Sequence, residues 1–143
     1  MARYETGYDQ TEAERRKRSK EVYEGLIRAV DHNSGRKQPP LAKKTSVIGT
    51  LHGAGYGRFG LEELHKAITA ACRNGDLFRA EDDRGDLRLG INDAEILLEK
   101  VESNLSCCDD PRRDVIGIAN RRIQKLRGED DSRFAESPRR SAR

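Results

Sequence analysis

The chain has 143 residues. Nowhere does it hold the run of about 18 apolar residues that a membrane helix needs, nor a charged segment leading into an apolar one. Neither a span nor a signal peptide is read from it, and a cytoplasmic protein is the expectation. Cysteine is scarce: Cys72, Cys107 and Cys108 are odd in number and lack C-x-x-C spacing, which argues against a disulfide framework and a structural zinc site. His32, His52 and His65 are scattered without ligand spacing, so no metal is expected. Catalytic signatures are missing as well. There is no G-x-S-x-G, no G-x-x-x-x-G-K-[ST], no H-E-x-x-H and no pairing of Cys with His, so neither an enzyme nor a cofactor is expected. Apolar residues make up 34% against 37% charged, which leaves little material for a core and points to a homodimer whose interface supplies part of it.

Charge is present in quantity but unevenly placed. From Arg15 to Lys44 ten basic residues face three acidic ones, and from Asp76 to Asp110 eleven acidic residues face four basic ones. One part of the molecule therefore suits an anionic partner and another does not.

The clearest pattern runs from Phe59 to Ile91. Leu61, Leu64, Ile68, Ala71 and Cys72 fall on one stripe of a helix that starts at Gly60, carries Glu62 and Glu63 in its first turn, and stops at Asn74-Gly75. Two strands follow. Leu77–Glu81 carries Phe78 and Ala80 on one face, and Leu87, Leu89 and Ile91 alternate with Arg88 and Gly90 as a strand with one buried face requires. Between them Asp82-Asp83-Arg84-Gly85 supplies the turn. Helix, short strand, turn and strand in this order make the second half of a winged helix. The order resembles winged-helix repressors of the multiple-antibiotic-resistance-regulator type. The likeness rests on Ala67 to Gly75 for the end of a recognition helix, Asp82-Asp83-Arg84-Gly85 for the wing tip, and Leu87 to Val101 for the returning strand and next helix. It implies DNA binding and dimerisation through a long helix.

Around this centre, residues 1–10 read as a flexible arm. Thr11 and Glu14 form a capping box for a helix with Val22, Leu26, Ala29 and Val30 inward, preceded by the basic run Arg15–Lys20, which either touches phosphate or is a solvated helix end. Pro39-Pro40 enforces an extended linker. Thr45 or Ser46 caps a short helix with Val47, Ile48 and Leu51, or the β-branched Val47, Ile48 and Thr50 place a third strand there. Gly55, Gly57 and Gly60 fit G-x-G-x-x-G, with Glu81 about where a dinucleotide site places its acid; the preferred reading is a turn with Tyr56 and Arg58 at its tip and Phe59 anchored in the core. Asn92 with Glu95 caps a helix carrying Ala94, Leu97, Leu98, Val101 and Leu105. Asp110-Pro111 opens a last one carrying Val115, Ile116, Ile118, Ala119, Arg122, Ile123 and Leu126. This pair is expected to pack together and either against a second subunit or onto the first helix. Residues 128–143 read as a disordered tail.

The expected fold is therefore mainly α with a small β-hairpin: a winged helix-turn-helix with extra N- and C-terminal helices, occupying residues 11–127 as one domain. The expected function is sequence-specific binding of double-stranded DNA by a dimeric transcriptional regulator. Lys43, Lys44, Tyr56, Arg58, His65, Lys66, Arg79, Arg84 and Arg88 are the candidate contacts. Glu62, Glu63, Glu81, Asp82, Asp83 and Asp86 oppose it, since all would repel phosphate. The alternatives are a winged-helix protein-interaction or assembly module without DNA binding, and a nucleotide-binding enzyme using the glycine-rich loop.

Overall fold

A computed structural model describes residues 11–53 and 59–134, with side chains as far as residue 128. Helix α1 (Glu12–His32) begins at a capping box: Thr11 Oγ1 accepts the Glu14 N–H and the Glu14 carboxylate accepts the Thr11 N–H, both at 3.0 Å. Val22, Leu26, Ala29 and Val30 are its buried stripe. A two-residue strand β1 (Ala42–Lys43) then leads directly into α2 (Lys44–His52), which holds Val47, Ile48 and Leu51. The β-branched Val47, Ile48 and Thr50 are therefore helical, and the third strand lies just before them. Helix α2 starts at Lys44 with Lys43 as an N-cap that makes no side-chain bond, so neither Thr45 nor Ser46 caps it. Phe59 is clipped to the end of α2, its N–H donating to Leu51 O and its carbonyl accepting from His52 Nδ1.

Helix α3 (Leu61–Asn74) buries Leu64, Ala67, Ile68 and Ala71 and stops where Gly75 turns left-handed at φ 85°. Leu61, expected on the stripe, is 48% exposed at the helix start. Strands β2 (Leu77–Glu81) and β3 (Leu87–Ile91) form an antiparallel hairpin, and β1 pairs antiparallel with β3, giving the order β1-β3-β2. The central strand β3 is covered on both faces, not on one. Leu89 and Ile91 join Ala42 and Leu77 against α1, α2 and α3, while Phe78 and Leu41 lie on the other side with helices α4 (Ala94–Cys107) and α5 (Arg113–Phe134). Gly90 is required at the crossing of these layers, because a Cβ there would stand 2.6 Å from both Leu41 Cδ2 and Phe78 Cε1.

The C-terminal pair packs on the sheet within one chain, not on α1. Val101, Ile116 and Ile123 are buried there, which takes them out of any subunit interface. The cap of α4 is Asp93 in place of Asn92, its carboxylate accepting the Glu95 and Ile96 N–H groups. Asp110-Pro111 precedes α5 without opening it; the first helical bond runs from Ile116 N to Arg112 O. Leu105 is 46% exposed because its neighbour Asn104 is turned inward, donating to the carbonyls of Arg36 and Gln38 in the linker after α1. Lys100 reaches Asp31 in the last turn of α1 and Ser34 in that linker. α5 continues to Phe134, past the boundary expected at Arg127. The expected arm at residues 1–10 and the last residues of the expected tail lie outside the described residues. Among the described residues no helix is long and apolar enough to cross a membrane.

Candidate nucleic-acid interface

Burial of Leu64, Ala67, Ile68 and Ala71 turns the other side of α3 outward. Glu62, Lys66, Thr69 and Arg73 recur at i, i+4, i+7 and i+11, so they form one line along the helix, with exposed His65 beside it. The line borders an open groove of about 700 Å³ against α1, whose opposite wall includes Ser19 and Tyr23. Arg73, in the last turn of α3, is thus the second cation of this line. Its spacing of seven from Lys66 was the readable signal.

Both ends of α3 are held. At the start, Gly60 has no side chain to donate or accept, so only half a capping box exists: Glu63 accepts the Gly60 N–H at 3.0 Å. The same carboxylate takes two bonds from Arg18, at 2.8 and 2.9 Å, while the guanidinium lies over the Phe59 ring at 4.8 Å from its centroid. Arg18 holds the Glu63 carboxyl below its ordinary range, and the bond to Glu63 raises the Arg18 pKa in return. An acid expected to repel phosphate is thereby compensated within the protein, and one residue of the α1 basic run is committed to it. At the other end Tyr23 donates to the Asp76 carboxylate and accepts from Asn74 Nδ2, and burial followed by that bond to Asp76 pushes the Tyr23 hydroxyl pKa up. Asn92 ties this corner to α5: its Nδ2 donates to Gly75 O and its Oδ1 accepts from Arg122 Nε at 2.9 Å.

The hairpin tip is a buried charge network. Asp82, with no exposed side-chain surface, accepts from Arg88 Nε at 2.7 Å and from the N–H groups of Arg84 and Asp86. Arg112 approaches it at 3.4 Å and is itself gripped by Asp114, which also accepts the Asp83 N–H. The bond from Arg88, then those backbone donors, hold the Asp82 carboxyl far below its usual range; Arg112 lowers Asp114 to about 2. The turn itself closes through Gly85 at φ 85°.

Arg88 is therefore no DNA contact. It is 4% exposed, and its second nitrogen donates to Leu41 O at 2.8 Å; the alternation that put it on an open face failed because α5 covers that face. Lys43 pairs with Asp86 at 3.6 Å on the Arg88 side of β3, and Lys44 is half-buried at the start of α2. His65, Lys66, Arg79 and Arg84 are exposed. Arg79 shares its sheet face with Leu77, the face α3 packs against. Tyr56 and Arg58 lie outside the described residues. The dinucleotide reading of the glycine-rich segment loses its setting: a helix, α2, precedes it, and all described strand pairs are antiparallel. Among the described residues no three His, Cys, Asp or Glu side chains converge as a metal site requires. No family model, curated protein or solved structure matches the chain.

Proposed function

We propose that the chain is a winged-helix protein that binds duplex DNA through the outward face of α3, as a sequence-reading module of the kind transcriptional regulators use. The observation that carries this is the line Lys66, Thr69 and Arg73 on a helix fixed at both ends, with Arg79 on the adjoining strand and Arg84 at the turn beyond it. The order α1-β1-α2-α3-β2-β3, with β1 beside β3, supports the winged-helix reading: α2 and α3 make the helix-turn-helix and the β2–β3 hairpin the wing. Arg73 can take a guanine edge bidentately, while Lys66, Arg79 and Arg84 suit phosphates on either side. Three of the acids that opposed this reading are paired internally, Glu63 with Arg18, Asp82 with Arg88 and Asp86 with Lys43.

Fluorescence anisotropy on labelled duplexes across a salt series tests it. Log K should fall linearly with log salt, and changing Lys66 and Arg73 together to Ala should lower affinity and reduce the slope by roughly two contacts' worth. An unchanged slope, or no binding at low salt, removes the proposal. The second reading, a protein-interaction module, is favoured by the exposed acids Glu81 and Asp83 on the hairpin. Asp83→Lys separates the two: it strengthens DNA binding if the tip lies near phosphate and leaves it unaltered if the tip faces a protein.

A further inference from the structure

Helix α5 carries a second cationic surface that α3 does not share. Between Asp114 and Gly128 its sequence holds no acid, and with Val115, Ile116, Ala119 and Ile123 turned inward, Arg113, Arg121, Lys125 and Arg127 are left exposed. Among the described residues, the other cations of α4, α5 and the segment between them are engaged: Arg112 by Asp82 and Asp114, Arg122 by Asn92 and the Phe78 ring, Lys100 by Asp31. Among the described residues none of the four on α5 meets an acid. At 100° and 1.5 Å per residue Arg113, Arg121 and Lys125 fall within about 120° of the helix, a band about 18 Å long or roughly five phosphate steps along one DNA strand, with Arg127 at its edge on the Arg113 flank.

Two occupants match its charge. The neighbouring α4 turns Glu95, Glu99 and Glu102 outward, so a second copy could set acid against base. Such a contact would consist of exposed ion pairs, which contribute little, with no apolar centre to add to them. The exposed Ile96 and Leu105 of α4 stand nine positions apart, on opposite flanks of the helix, and make no common patch. A polyanion needs no apolar centre, because release of its condensed counterions drives binding to a polar cationic face. We propose that the exposed face of α5 is a second phosphate-backbone site, and that one molecule thereby holds two DNA duplexes together. Alternation in the hairpin sets the two sites apart: Leu77 faces the α3 side of the sheet and Phe78 the α5 side. This inference rests on the DNA-binding reading of α3.

The experiment is capture of a labelled duplex by a second, bead-bound duplex in the presence of the full chain, with light scattering on the free protein. Wild type should recruit the labelled duplex. Arg121→Gln/Lys125→Gln/Arg127→Gln, with melting unchanged by circular dichroism, should still bind the bead-bound duplex but recruit the second at least about tenfold less. Equal recruitment by this variant, or binding without recruitment by wild type, overturns the inference while DNA binding by α3 stands. If Lys66→Ala/Arg73→Ala binds like wild type and only the α5 variant fails, the α3 reading falls, bridging with it, and α5 remains as a single site. No duplex binding by wild type at low salt overturns both. Conversion of a wild-type dimer to monomers by the α5 changes would identify a second copy as the occupant and equally overturn the inference.

Discussion

Arg88 and Arg84 are both arginines of the hairpin, and their surroundings give them opposite tasks. The Arg88 guanidinium spans Asp82 and the Leu41 carbonyl inside the protein, whereas Arg84 engages only through its backbone N–H. Breaking a buried ion pair from one side leaves the other charge unpaired, at a cost of 3–5 kcal/mol in general. Asp82 would keep Arg112 and two backbone donors, so Arg88→Ala should destabilise by about 3 kcal/mol, read from the urea midpoint. Arg84→Ala should shift stability by no more than ~0.5 kcal/mol and instead change the salt slope of DNA binding. Equal urea midpoints for the two variants would contradict the network. Its acids also set a pH dependence. Asp114 in the folded chain titrates at about 2, below its ordinary 3.8, and Asp82 is depressed in the same direction. Depressed carboxyls stabilise above their unfolded pKa and lose that contribution as pH falls through the folded one. The stability gap between wild type and Asp114→Asn should therefore be constant above about pH 5 and narrow steadily towards pH 2. A gap that widens on acidification would refute the assignment. None of this was legible from the residues alone: Asp-Asp-Arg-Gly reads as a turn in any setting, and the partner Arg112 arrives from a distant element.

At the scale of elements, local chemistry was readable and coverage was not. Thr11 with Glu14 and Asn74-Gly75 mark helix ends because capping satisfies backbone groups whatever surrounds them. The α3 stripe was legible for the same reason, and with it the exposure of His65 and Lys66. What failed depended on which layer lies over which face. A strand reading Leu-Arg-Leu-Gly-Ile looks half-exposed until a second helical layer covers Arg88 and Gly90. Asn92 looked like a cap until it was needed at the corner between Gly75 and Arg122, leaving Asp93 to cap α4. Gly90 is where this two-sided coverage becomes measurable. Ala has no unfavourable effect on an ordinary strand with one open face, but here its methyl group would meet Leu41 and Phe78 at 2.6 Å. Gly90→Ala should cost about 1–3 kcal/mol through overpacking, visible as a lower urea midpoint with little change in far-ultraviolet dichroism. A neutral result would mean that α4 and α5 leave room above β3.

For the molecule as a whole, the sheet is the middle of three layers, and neither outer layer has a core without it. Leu77 and Leu89 complete the cluster with α1 and α3, while their neighbour Phe78 completes the one with α4 and α5. A hairpin whose alternate residues serve two cores should couple them into one cooperative unit. The link is polar as well as apolar: Arg122 lies over the Phe78 ring at 4.5 Å and holds Asn92, and Asp114 holds the turn at Asp83. Ending the chain after Asp110 would uncover Leu41, Phe78, Leu97 and Val101 at once and take Arg112 from Asp82. Losing the cover of several large apolar side chains, each worth about 1.5–3 kcal/mol when buried, exceeds the 5–15 kcal/mol by which a typical domain is stable or comes close to it. The truncated chain should therefore show no sharp thermal transition and should bind a hydrophobic dye, whereas the full chain should melt once, with near- and far-ultraviolet signals coinciding. If the truncated chain melts sharply and binds duplex DNA as the full chain does, α1 to β3 form an independent domain and the coupling through Phe78 is not what holds α3 in place.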